Sequence, residues 1–126
     1  MEHILFFDGN TKKISWVIQT NNSVIEQRRE HADIYLDKVT NQQSKYISLH
    51  VGLFWGIGMF IIKNQDIVKI STDNSFIFEH LSTNQKSNDK FIEERTCFIR
   101  QLIEQRKLKI QYELITIEKN LAAKKI

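Results

Sequence analysis

The chain has 126 residues, 41% of them apolar, and a formal net charge of +3. This length and composition predict one domain over residues 1–126 with its own apolar core, and they exclude a disordered polypeptide. The single cysteine, Cys97, excludes an internal disulfide and favours a reducing, cytoplasmic compartment, with the thiol filling a small buried space. No apolar segment follows a basic N-terminus, so no signal peptide is predicted.

The first quarter of the chain predicts three strands. An apolar run indicates a strand over residues 3 to 8, and alternating apolar residues indicate a second strand over 14 to 19. A third strand is predicted from about 23 to 33. Asn21 and Asn22 between the last two strands are typical of a tight hairpin turn.

A long apolar helix is predicted from about 43 to 62. Its uncharged run from Leu49 to Ile62 is 14 residues, which is too short to cross a bilayer, so no membrane association is expected. Apolar residues occupy nearly every face, as in a helix packed between a sheet and another helix. Gly52 and Gly56 within it predict close packing.

The second half predicts a strand at 67 to 72, helices at 74 to 82 and 88 to 106, a strand at 108 to 117 and a short helix from about 120. Together with the first half, this order is βββαβααβα. The predicted fold class is therefore α/β, with a five-stranded mixed sheet flanked by helices.

Several segments resemble ribonuclease H of the short archaeal kind. HILFFDGN, with Asp8, is similar to the first strand of that family, and TNQQSKY is similar to the motif that opens its first helix. Asp73 lies between the end of a later strand and the start of a helix, as in the family. Near the end, ITIEKNLAAK is similar to the family's RExNxxAD, with Glu118, Asn120 and Ala123 matching. The resemblance spans nearly the whole chain and implies the ribonuclease H fold.

Matched position by position, the resemblance puts the family's four metal-binding acids at Asp8, Lys45, Asp73 and Lys124. In the family these acids hold two divalent ions about 4 Å apart, which activate water and stabilise the leaving oxygen. Here the four charges sum to zero, and a protonated lysine has no lone pair for a metal. We therefore expect ion pairs where the family has metal ions, with Lys45 near Asp8 or Asp73.

Each of these residues also has an ordinary structural interpretation. Lys45 and Lys124 would be solvated surface lysines, the latter in a terminal segment of a kind that often frays. Asp8 would belong to an Asp-Gly turn that ends its strand. Asp73 would be only the N-cap of the following helix.

Two functions follow from the resemblance. The favoured one is a degenerate ribonuclease H-like domain that binds nucleic acid, either RNA/DNA hybrid or duplex, or a protein partner, with no cofactor and no two-metal cleavage. The alternative is an active endonuclease that cleaves RNA in RNA/DNA hybrids. In that case Asp8 and Asp73 would hold Mg²⁺ or Mn²⁺, and Glu118 would replace a lost ligand. Both a monomer and a homodimer remain open.

Positive charge is concentrated toward the C-terminus. Residues 84–126 hold 10 basic and 6 acidic side chains, whereas residues 1–83 hold 8 and 9. This bias favours a polyanionic partner, although it also serves solubility alone. Besides Lys45 and Lys124, the side chains predicted to contact nucleic acid are Arg95, Arg100, Arg106, Lys107 and Lys109.

Overall fold

The computed structural model describes residues 1–126 and contains a five-stranded mixed sheet with three helices. The strands are β1 (Glu2–Gly9), β2 (Lys13–Thr20), β3 (Ser23–Glu30), β4 (Ile67–Thr72) and β5 (Lys109–Leu114). The helices are α1 (Asn41–Gly58), α2 (Ser75–Ser82) and α3 (Lys90–Arg106). The strand order is β3-β2-β1-β4-β5, with β1 antiparallel to β2 and parallel to β4. The predicted fold class is confirmed.

The β2–β3 hairpin forms where the sequence predicted it. Asn21 has φ 54°, the left-handed conformation that a tight hairpin turn requires, and Thr20 pairs with Ser23 on either side of the turn. Strand β3 ends at Glu30, three residues before the predicted end.

Helix α1 begins with a capping box and ends earlier than predicted. The Thr40 hydroxyl accepts the Gln43 N–H at 3.0 Å, and the Gln43 side chain accepts the Thr40 N–H at 3.0 Å. The helix ends at Gly58 rather than at residue 62, because Phe60 adopts φ 61° and reverses the chain. The turn buries Ile62 in the core at 1% exposure, so the apolar run in the sequence extends past the end of the helix.

The main core lies between one face of the sheet and helices α1 and α3. A Cβ added at Gly52 would lie 2.9 Å from Trp16 Cγ, and one added at Gly56 would lie 2.8 Å from Ile18 Cδ1. The predicted close packing at these two glycines is confirmed. The largest fully buried side chains are Trp16, Tyr46, Phe7, Leu5, Ile18, Ile47, Leu49, Leu53, Ile62, Ile70, Ile77 and Ile99.

The C-terminal segment differs from the prediction. Strand β5 ends at Leu114, and the predicted final helix is replaced by two 3-10 turns, Ile117–Lys119 and Ala123–Lys125. Between them Ala122 is buried against the face of the sheet opposite α1, where it packs in a small apolar cluster with Phe6 and Val17.

Cys97 is exposed on α3, so the prediction that it fills a buried space is wrong. Across the whole chain, none of the helices combines the length and the apolar character that crossing a membrane requires.

Candidate functional site

The site forms where the C-terminal end of β1 meets the start of α1. Leu5 and Phe7 point into the main core, so the alternation of the strand turns Asp8 toward the opposite face. Gly9 lets the helix approach closely, because a Cβ there would lie 2.8 Å from the main-chain carbonyl atoms of Ser44. This approach brings the next residue of the helix, Lys45, within reach of the end of the strand.

Lys45 forms an ion pair with Asp8. Its ammonium donates to Asp8 Oδ1 and, at 3.4 Å, to the Gly9 carbonyl. Asp8 Oδ1 also accepts the Gly9 N–H at 2.8 Å. The two charged side chains are 19% and 14% exposed, so the pair is largely shielded from water. The prediction that Lys45 lies within ion-pair reach of Asp8 is confirmed, and Lys45 is not a solvated surface lysine.

The second carboxylate, Asp73, is held by Asn120. Asn120 Nδ2 donates to Asp73 Oδ2 at 3.0 Å and to the Phe7 carbonyl at 3.2 Å, and the residue is 1% exposed. Its Oδ1 accepts the Ala122 N–H at 3.0 Å. Asp73 is not the N-cap of α2, because Asn74 fills that role. One amide therefore connects the end of β4, the end of β1 and the C-terminal segment.

Lys124 does not join this group. It is exposed beside β3 and forms no ion pair with either aspartate. The place in the site that the resemblance gives Lys124 is therefore wrong, and its ordinary interpretation as a solvated surface lysine is confirmed. The cause lies in its neighbours. Ser15 Oγ donates to the Ala122 carbonyl at 2.7 Å, and Lys125 Nζ pairs with Glu26 at 2.8 Å. These contacts draw the C-terminal segment across the sheet toward β3.

The donor set at the site does not fit two divalent ions. Asp8 is paired with a cation, and Asp73 faces an amide NH₂ group, which is a donor and not a metal ligand. Glu118 is exposed on the 3-10 turn, and nowhere in the chain do three or more His, Cys, Asp or Glu side chains come together in a way that suits a metal. Glu118 therefore does not join Asp8 and Asp73 as a substitute metal ligand.

Arg95, one of the five predicted nucleic-acid contacts, is engaged within the protein. Its guanidinium donates to the Tyr35 hydroxyl at 2.8 Å and to His50 Nδ1 at 3.1 Å, and it lies 5.2 Å from the Phe91 ring centroid. Burial, together with the adjacent Arg95 charge, lowers the pKa of His50. Arg95 therefore stabilises the α1–α3 region instead of facing solvent.

The other four predicted contacts divide into two kinds. Arg100 is half-buried, with Nη2 fully enclosed, and its charge partly offsets the burial that raises the pKa of Tyr112. Arg106, Lys107 and Lys109 are exposed around the turn from α3 to β5, where Lys107 at φ 53° ends the helix. The exposed basic surface is therefore smaller than predicted.

Buried histidine networks were not predicted from the sequence. His3 bridges Thr20 Oγ1 at 2.6 Å and Asp66 Oδ2 at 2.7 Å, at the end of the sheet opposite Asp8. His80 bridges the Tyr46 hydroxyl at 2.7 Å and Glu93 at 3.1 Å. Their partners lie 13 to 63 residues away along the chain, so no local spacing reveals them.

Burial raises the pKa of Asp66, but hydrogen bonds from His3 and from the Lys63 N–H outweigh it, and the net pKa is lowered. Since Asp66 stands at the far end of its strand, it takes no part in the site at Asp8.

No protein-family model matches the sequence, and no curated protein matches it. Solved structures do match over nearly the full chain. A ribonuclease H1 from the halophilic archaeon Halobacterium salinarum has a TM-score of 0.78 and 16% identity, over 99% of this chain and 93% of its own. The N-terminal ribonuclease H domain of a Mycobacterium tuberculosis protein, solved as a maltose-binding-protein fusion, has a TM-score of 0.80 and 17% identity, over 99% and 95%.

A third similar structure is a ribonuclease H1 from a compost metagenome, crystallised in complex with an RNA/DNA hybrid. It has a TM-score of 0.77 and 19% identity, over 98% of this chain and 91% of its own. At these identities the likeness concerns the fold. The protein has the ribonuclease H-like fold that its sequence motifs predicted.

Proposed function

We propose that this protein is a ribonuclease H-like domain that binds nucleic acid, either RNA/DNA hybrid or another duplex, without cleaving it by a two-metal mechanism. The observation that supports this most directly is the Lys45 ammonium against Asp8. It places a fixed positive charge at one of the two carboxylates that the resemblance assigns to metal binding.

The energetics favour the lysine over a weakly held ion. Two unit charges at about 4 Å attract each other by about 4 kcal/mol at an effective dielectric of 20, before desolvation is subtracted. A divalent ion at Asp8 must displace Lys45 and then lacks the ligand that a carboxylate at that position would supply. Beyond Asp8, the site offers the ion only one further carboxylate, Asp73, which already accepts a hydrogen bond from the Asn120 amide.

A fixed cation suits phosphate binding better than phosphate hydrolysis. Asp8 Oδ1 and the Gly9 carbonyl take two of the three donors of the Lys45 ammonium, so one donor is left for a phosphate oxygen. An ammonium cannot, however, generate the hydroxide nucleophile that a metal-bound water provides. Exposed Arg106, Lys107 and Lys109 add positive charge elsewhere on the surface. A structurally similar ribonuclease H1 was crystallised with an RNA/DNA hybrid, which makes this duplex the first ligand to test.

Binding is tested with a fluorescently labelled hybrid in EDTA, by anisotropy at low salt. We expect a Kd in the micromolar range or tighter that Mg²⁺ does not improve. Lys45→Glu should weaken binding, because it replaces an attractive charge beside the phosphate with a repulsive one. Lys63→Glu is the matched control, since Lys63 is an exposed lysine at the far end of the sheet.

Two results would contradict the proposal. Equal affinity loss in both variants would mean that overall charge, and not the site, governs binding. No binding at low salt to hybrid, duplex RNA or duplex DNA would leave a protein partner as the better function for the domain.

A further inference from the structure

A surface groove of about 400 Å³ runs between strand β3 and the C-terminal turn. It lies beyond the Asp8–Lys45 site and involves none of the residues of that pair. Its lining residues are Glu26, Gln27, Arg28, Lys124, Lys125 and Ile126.

The charges in this groove are unequally paired. Lys125 is neutralised by Glu26 at 2.8 Å, whereas Arg28 and Lys124 are exposed and neither forms a salt bridge. The neighbouring Arg29 is different, because it lies 5.3 Å from the Trp16 ring centroid. Two cations, Arg28 on β3 and Lys124 on the C-terminal turn, thus line the groove without an acidic partner.

The groove shares a sheet face with the candidate site. Asp8 pairs with Ser15 on β2, and Ser15 pairs with Arg28 on β3, so the three side chains point to the same side. Two strand spacings separate Asp8 from Arg28, which is about 10 Å. The Ser15 hydrogen bond to the Ala122 carbonyl, at 2.7 Å, fixes the C-terminal segment that bears Lys124 over this row.

We propose that Arg28 and Lys124 bind a backbone phosphate of the same nucleic-acid strand whose phosphate meets Lys45. The inference rests on the proposed function and specifies its second contact point. One strand of a duplex carries a phosphate at every nucleotide, about 3.4 Å apart along the helix axis and farther apart through space, so two cationic sites about 10 Å apart can each meet a phosphate of the same strand. The arginine fork provides two parallel donors to a phosphate, and the lysine adds a point charge.

The test is a salt series with labelled hybrid, between about 50 and 200 mM, for the wild type, Arg28→Gln, Lys124→Gln and the double variant. Both side chains hold the same phosphate, so the Arg28→Gln/Lys124→Gln double variant should make the slope of log K against log salt shallower by about 0.9, the value for duplex DNA, and each single variant should make it shallower by less. Lys63→Gln removes the same charge at the far end of the sheet and should leave the slope unchanged.

Glu26→Gln is the variant that adds charge without removing a contact. It releases Lys125 from its salt bridge, so affinity should rise and the slope should steepen. A misfolded variant would lose affinity instead, so this gain separates charge from damage. An unchanged slope in the Arg28→Gln/Lys124→Gln double variant, or no increase in affinity in Glu26→Gln, would refute phosphate binding in the groove. Either result would leave the proposed function intact. A wild type that binds no duplex at low salt would overturn both.

Discussion

Asn120 connects Asp73 to strand β1 through a single amide group, which donates to Asp73 Oδ2 at 3.0 Å and to the Phe7 carbonyl at 3.2 Å. Since Asn120 is 1% exposed, water cannot replace these bonds without rearrangement of the C-terminal segment. The arrangement orients one of the two remaining carboxylates and holds the segment against the sheet.

Asn120→Ala should therefore destabilise the protein. Removing the amide leaves the Phe7 carbonyl and Asp73 without their shared donor, at a cost of about 1–3 kcal/mol in the free energy of unfolding. Urea denaturation followed by circular dichroism measures it. Asn88→Ala, at an exposed position without a side-chain hydrogen bond, is the control. Equal midpoints for the two variants would show that the amide makes no net contribution.

The close approach at Gly9 gives a second prediction. Gly9→Ala places a methyl group about 2.8 Å from the main chain of Ser44, so α1 must move away and Lys45 must move with it. Stability should fall, and the Lys45–Asp8 pair should loosen. Gly58→Ala is the matched control, because its Cβ meets nothing within 4 Å and alanine favours a helix by about 1 kcal/mol. If Gly9→Ala unfolded at the same urea concentration as Gly58→Ala, the predicted clash would be absent.

The order of elements was predictable because periodicity and turn residues are local signals. The β2–β3 hairpin and the ion pair between Lys45 and Asp8 followed from such signals and from the resemblance. The end of α1 was not predictable, since residues 59–62 stay apolar after the chain leaves the helix at Gly58.

The incorrect sequence predictions for Lys124 and Arg95 have a common physical cause. The position of Lys124 depends on contacts that its neighbours make with Ser15 and Glu26. These two residues lie more than 90 positions earlier in the chain, and no motif encodes the contacts. The sequence predicts Arg95 as a cation free to contact nucleic acid, yet its guanidinium is hydrogen-bonded to Tyr35 and His50. Side-chain partners from distant elements decide whether a charge faces solvent.

Acid should weaken the protein through Asp66. The folded-state pKa of this carboxyl is lowered, so its contribution to stability is complete above the unfolded value of about 3.8 and is lost as pH falls through the folded value. Urea midpoints of the wild type and Asp66→Asn, measured from about pH 7 to pH 3, isolate the effect. The gap between them should narrow at the acid end. A gap that stays constant would exclude Asp66 as a source of the pH dependence.

Replacing the cation at the site should create metal affinity. Lys45→Glu would put a third carboxylate near Asp8 and Asp73, so Mn²⁺ binding measured by calorimetry should become tighter than in the wild type. Lys45→Gln removes the positive charge without adding a carboxylate and should fall between the two. Two tightly bound Mn²⁺ ions in the wild type would refute the view that Lys45 replaces a metal ion.

The most direct test of the central claim is a cleavage assay on an RNA/DNA hybrid with Mg²⁺ and with Mn²⁺. We expect the wild-type protein to leave the RNA strand intact with either metal, at concentrations at which it binds the hybrid. Asp8→Asn, assayed in parallel, identifies any contaminating nuclease. Metal-dependent cleavage by the wild type that disappears in Asp8→Asn would contradict the account and establish an active ribonuclease.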